Sequence, residues 1–234
     1  MDMPMTLAYI VGILVILFST STVQARTWRV EKDGSGDYVE IQDAVDAAAV
    51  GDTVLIGVGR YDTLHHVVDS GAPEDYAVVH VQTDSLTLRG VDRDLVIIGP
   101  ETAPEKTIQR QGIEVLGMSW IDIENLTVEN MQYGIQVAKS GRVAGCTIRG
   151  SKEVGVWGTG AQRIIVENCE FYDCFTAVDI FAYGGGHEWA CIENCQFWGG
   201  GGGSFRIILR RRLRTATSIT LQLGEFNSVP GPEE

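Results

Sequence analysis

The chain has 234 residues, 44% of them hydrophobic, enough apolar material to bury a core in one domain or one elongated array, and this excludes a disordered chain. Its formal net charge of −13 makes nucleic acid an unfavourable partner and argues against unassisted capture of a polyanion; a neutral glycan, or an acidic one bridged by calcium, fits better. Five cysteines are an odd count, so they cannot all pair within one molecule.

Residues 7–18 form an apolar run, followed by Ser and Thr and then by Val23-Gln24-Ala25, a small-x-small pattern that a signal peptidase accepts. A signal peptide over 1–25, cleaved after Ala25, is expected. The run is shorter than the roughly twenty residues of a membrane-spanning helix. The leader lacks Lys and Arg and carries Asp2, which keeps an uncleaved N-terminal anchor as the alternative. The mature chain is expected to be secreted, periplasmic or on the cell surface, as a monomer without a membrane span.

Residues 26–52 read as an N-terminal cap. Val39, Ile41, Ala44, Val45 and Ala48 fall near helical spacing, which predicts a helix over 38–49 that Gly51-Asp52 ends. Such a helix would cover the open apolar end of the array that starts at 53.

From residue 86 to 198, β-branched and aromatic runs recur between turn residues. Ile123-Glu124-Asn125-Leu126-Thr127-Val128 aligns with Val143-Ala144-Gly145-Cys146-Thr147-Ile148, then with Val166-Glu167-Asn168-Cys169-Glu170-Phe171 and Ile192-Glu193-Asn194-Cys195-Gln196-Phe197. A third strand recurs at Gly112-Ile113-Glu114-Val115, Gly134-Ile135-Gln136-Val137, Gly155-Val156-Trp157-Gly158 and Ala177-Val178-Asp179-Ile180. No single unit has enough apolar surface to close a core, so the units must stack. The fold class expected is all-β: a right-handed parallel β-helix with three strands per coil over 53–198. Leu126, Cys146, Cys169 and Cys195 then form one inward column, in which the cysteines act as small apolar core residues. Asn125, Asn168 and Asn194 sit at a bend, where Asn tolerates a left-handed conformation and its amide can bond the next Asn along the stack.

Lys32-Asp33-Gly34-Ser35-Gly36-Asp37-Tyr38, followed by Ile41-Gln42-Asp43-Ala44-Val45, resembles the opening of pectinesterases and related pectin-lyase-fold proteins. Gly51-Asp52-Thr53-Val54-Leu55-Ile56 and Gly59-Arg60-Tyr61 continue the likeness, and the later coils resemble the generic repeats of that superfamily. The resemblance implies the fold. The Gln-Asp segment and distal Arg-Pro-Trp of a pectinesterase are missing here, as are the patterns of pectate lyases and polygalacturonases, so no family catalytic residue carries over. If the chain is an enzyme, the resemblance implies a polysaccharide lyase, hydrolase or esterase.

Candidate chemistry lies on the outer face of the third strand. His80, Glu114, Gln136, Trp157 and Asp179 alternate with inward apolar residues and are expected to point to solvent as a linear row that holds a sugar chain by stacking and hydrogen bonds. Glu114 and Asp179, three coils and about 14 Å apart, are too distant for a glycosidase pair, whereas His80 and Glu114 are one coil apart, close enough for a carboxylate-oriented general base. His187 and Glu188, in the loop that interrupts the next coil, join Asp173 and Asp179 as candidates for substrate or calcium. His65-His66 is far short of a transition-metal motif. The function expected is binding or processing of a polysaccharide; the alternative is a non-catalytic surface or envelope repeat protein whose strands contact other proteins.

Beyond residue 198 the pattern collapses into five glycines and an Arg-rich stretch within 199–234. This reads either as a frameshift in a guanine-rich tract or as a flexible linker with a basic tail.

Overall fold

The computed structural model describes residues 24–67, 75–103, 109–181, 189–199, 207–210 and 219–221. Residues 1–23 of the expected signal peptide, most of the 199–234 tail, His187 and Glu188 lie outside the described residues.

The strands stack in three parallel sheets, each coil giving one strand to each. The first sheet runs through Thr27–Val30, Thr53–Ile56, Thr87–Gly90, Ile121–Glu124, residues 141–144, 163–167 and 189–193 of longer strands, and Ile219–Leu221. The second holds Gly59–Tyr61, Val96–Ile98, Thr127–Glu129, Thr147–Arg149, Glu170–Tyr172 and residues 196–198. The third holds Asp75–Val81, Gln109–Val115, residues 133–138 and 154–159, Thr176–Phe181 and Ile207–Arg210. An antiparallel addition, His65–His66, pairs with Asp75–Val81.

Alternation along each strand turns one row of side chains into the interior. Leu126, Cys146, Cys169 and Cys195 are fully buried above one another, with Val128, Ile148, Phe171 and Phe197 beside them. Phe171 and Phe197 stack at 5.1 Å. Cys146, Cys169, Cys174 and Cys195 are free thiols.

In four successive coils the chain turns between the first and second sheets on one left-handed residue: Asn125, Gly145, Asn168 and Asn194 have φ of 57°, 60°, 52° and 51°. The Asn125 amide donates to the Gly90 carbonyl of the preceding coil at 2.8 Å rather than to another Asn. The bend after the second sheet uses a positive-φ residue at Gly99, Asn130, Gly150, Asp173 and Gly199, again all Gly, Asn or Asp, whereas the third bend places Ser85, Trp120 and Lys139 in the left-handed region.

The cap helix spans Ile41–Ala47, shorter than the 38–49 expected. Tyr38 is instead bridged to Val30, and Ala48 is extended, with ψ of 143°. Ile41, Ala44 and Val45 are buried in the core cluster, and Gln42 exchanges two hydrogen bonds with the His80 backbone, at 2.7 and 3.0 Å, which ties the helix to the third sheet.

Candidate functional site on the third sheet

Strand register sets His80 opposite Glu114, Glu114 opposite Gln136, Gln136 opposite Trp157 and Trp157 opposite Asp179, so the five residues form one line across five coils. Ile113, Val115, Ile135, Val137, Val156 and Val178 lie in the core cluster on the other side of the same strands.

The expectation that this row faces solvent is corrected. His80 is 9% exposed, Glu114 1% and Gln136 6%, while Trp157 and Asp179 are half-buried. Alternation decides which side of a sheet a residue faces, not whether that side meets water.

At one end of the line, His80 Nδ1 and Glu114 Oε2 lie 3.2 Å apart, though not aligned for a hydrogen bond. The Gln82 amide nitrogen, which can only donate, is 3.0 Å from His80 Nε2. In the neutral ring this places the proton on Nδ1, toward Glu114, and leaves Nε2 as the acceptor.

Gln111 and Asp75, which the sequence pattern missed, complete this end. Gln111 Nε2 donates to Glu114 Oε1 at 2.9 Å and to Asp75 Oδ1 at 3.2 Å, so that one amide bridges two buried carboxylates. Tyr133, also missed, stacks on Trp157 with ring centroids 4.9 Å apart. Burial, and then the charges of Glu153 and Asp75, raise the Tyr133 hydroxyl above its ordinary pKa.

Strict alternation would send Gln111 and Tyr133 inward, level with Ile113 and Ile135. The glycine that follows each breaks the count, so that Gln111 joins Glu114 and Tyr133 joins Trp157. The signal was the repeated pattern of polar or aromatic residue, Gly, Ile and polar residue at 111–114 and 133–136.

Three buried oxygens of the cluster, Gln111 Oε1, Glu114 Oε2 and Gln136 Oε1, have no aligned hydrogen-bond donor from the protein, and His80 Nδ1, 3.2 Å from Glu114 Oε2, has no aligned acceptor. All three oxygens are acceptors, and a buried acceptor without a donor costs about 1–3 kcal/mol. The arrangement therefore suits a species that brings hydroxyl donors. Among the described residues no group of three or more His, Cys, Asp or Glu has the geometry to hold a metal ion.

A family model described as "Right handed beta helix region" matches residues 111–219. Pectinesterase 31 of Arabidopsis thaliana is 24% identical over 149 residues, which cover 64% of this chain and 42% of that protein. Among solved structures, a pectin methylesterase mutant in complex with a hexasaccharide is similar at a TM-score of 0.37 and 18% identity, over 76% of this chain and 56% of that one. A second pectin methylesterase complex with a hexasaccharide gives 0.27 and 11%, over 76% and 80%. The chain spans less than half the length of the curated relative it matches. Strand register and, over residues 111–219, the family model agree on the architecture: the chain folds as a parallel β-helix.

Proposed function

We propose that this is an exported β-helix protein that binds a polysaccharide along the outer face of the third sheet. The observation that carries the reading is the line from His80 to Asp179, in which buried acceptors without donors sit beside the Tyr133–Trp157 stack. A sugar offers hydroxyl donors to the first and a C–H face to the second. The pectinesterase likeness points to the same substrate class.

If the surface also processes its ligand, the base is His80: Nε2 takes the proton once substrate displaces the Gln82 amide, and Glu114 stabilises the imidazolium through Nδ1. Calcium remains the one proposed cofactor, as a bridge to an acidic glycan.

The test is a glycan array and a reducing-end assay on the mature protein with calcium present. Binding that is lost in Trp157→Ala supports the reading, and blank results in both assays sink it. The deep burial of Glu114 and Gln136 favours a second reading, a non-catalytic repeat protein that uses this polar line as an internal spine; it predicts protein contacts indifferent to Trp157 and Asp179.

A further inference from the structure

Alternation also shapes the second sheet. With Val128, Ile148 and Phe171 turned inward, the residues on either side of them stand up as two rows on its outer surface. One row is Thr127, Thr147 and Glu170; the other is Glu129, Arg149, Tyr172 and Trp198. Between them lies a cavity of about 380 Å³ lined by Asp94, Thr147, Arg149, Glu170, Tyr172 and Asp173, among others.

Thr147 carries the argument. It is among the residues that line this cavity, it is 6% exposed, and its buried hydroxyl has no hydrogen-bond partner. The equivalent hydroxyl one coil earlier, on Thr127, donates to the Arg93 carbonyl at 2.7 Å, so the lack of a partner is specific to this coil.

Beside it, the Glu170 carboxylate is held in place by Arg93 at 3.0 Å and by the Tyr172 hydroxyl at 2.9 Å. Tyr172 has one face covered by Trp198, with centroids 4.5 Å apart and planes within 5°. Its other neighbour in register is Arg149, across the cavity wall.

We infer that this trough is a second saccharide site, independent of the line on the third sheet, which takes the hydroxyls of a neutral sugar. An orphan hydroxyl and a fixed carboxylate together match adjacent sugar hydroxyls, which donate and accept, and Tyr172 supplies a ring against which a pyranose packs. An acidic sugar gains nothing here: Arg93 and Arg149 already hold Glu170 and Glu129, and Asp94 and Asp173 repel a further carboxylate.

The experiment is calorimetric titration of the full chain with cellohexaose as the neutral probe and hexagalacturonate as the acidic one. Thr147→Val, which keeps the side-chain shape, should weaken cellohexaose binding about fivefold by removing one hydrogen bond. Tyr172→Ala should weaken it about tenfold, Trp157→Ala should leave this component in place, and hexagalacturonate should give no heat assigned to it. Circular dichroism checks that each variant is folded. Absence of cellohexaose binding, or affinity unchanged in Thr147→Val, overturns the inference. Binding that disappears in Trp157→Ala alone overturns it too while leaving the third-sheet reading intact, and the reverse pattern separates the two in the other direction.

Discussion

Asp52 shows how much one side chain holds at the start of the array. Its two carboxylate oxygens accept from the Arg26 amide at 2.7 Å, the Trp28 indole at 3.0 Å and the Ala49 amide at 2.9 Å, joining the first strand, the end of the helix and the first coil. Burial works to raise its pKa, but the amides of Ala49 and Arg26 and the Trp28 indole outweigh it and hold the carboxyl below its ordinary 3.8. A depressed folded-state pKa gives stability that is fully present above 3.8 and is lost as pH falls through the lower folded value. Asp52→Asn keeps the shape and loses the charge, so it should cost about 2 kcal/mol near neutral pH. It should also remove this share of the acid sensitivity below 3.8. Urea unfolding of both proteins at neutral and acid pH checks this; an undiminished gap between them in acid would refute the charge-based account. The sequence pointed to Asp52 only as a helix stop, because bonds to residues 26 and 28 depend on how the first strand pairs with the second.

Within the elements, the third sheet shows where period-two reasoning holds and where it breaks. The inward residues Ile113, Ile135, Val156 and Val178 were legible, as was the line from His80 to Asp179, because a small residue, Gly112, Gly134, Gly155 or Ala177, stands two places before four of its five members and the alternation at Val79-His80-Val81 supplies the fifth. The shift of Gln111 and Tyr133 onto the outer face was not, because it depends on how closely the backbones approach. A Cβ on Gly134 would lie 2.5 Å from the Gly155 carbonyl oxygen and 3.0 Å from the Ile148 side chain; Gly112 and Gly155 meet the same obstacle from the coil that follows each. Gly134→Ala should therefore destabilise the protein by about 2 kcal/mol through overpacking, measured as a lowered urea midpoint; an unchanged midpoint would show that the coils can part there at little cost. The helix shortened for a related reason, since Tyr38, at the start of the expected helix, is engaged by the first strand. Removing the ring of the Tyr133–Trp157 pair with Trp157→Ala should lower affinity for a glycan bound on this sheet about tenfold, while the midpoint of unfolding moves much less than in Gly134→Ala. Equal loss of both would assign Trp157 to the scaffold alone.

For the molecule as a whole, the offsets between residues 125, 145, 168 and 194 already implied a stack, and the fully buried column of Leu126, Cys146, Cys169 and Cys195 realises it. The burial of the polar line was beyond such reading, because periodicity carries no information about what lies over a face. In a stack, each coil is stabilised mainly by its two neighbours, so its stability is a sum of interfaces and its cooperativity depends on how strong they are. The buried cysteines report on this through their reactivity. The single S–H of Cys146, Cys169 and Cys195 lies in each case within reach of two carbonyls, one of its own coil and one in the coil before, at 3.3 to 3.7 Å. Burial, followed by the neighbouring thiols Cys146 and Cys195, pushes the Cys169 thiol well above its usual pKa, so it stays protonated and unreactive while folded. Removing any one coil from the interior would break two interfaces at once and expose the fully buried Val and Ile residues of its neighbours, which makes opening of a single coil costly compared with opening of the array. The thiols of Cys146 and Cys169 should therefore become reactive toward a disulfide reagent together, with one free energy of opening equal to that of global unfolding, as read by mass spectrometry of labelled peptides across a urea series. If Cys146 and Cys169 instead open with free energies more than about 1 kcal/mol apart, the coils behave as separate units, and a ligand lying along either sheet would stabilise the protein by bridging them.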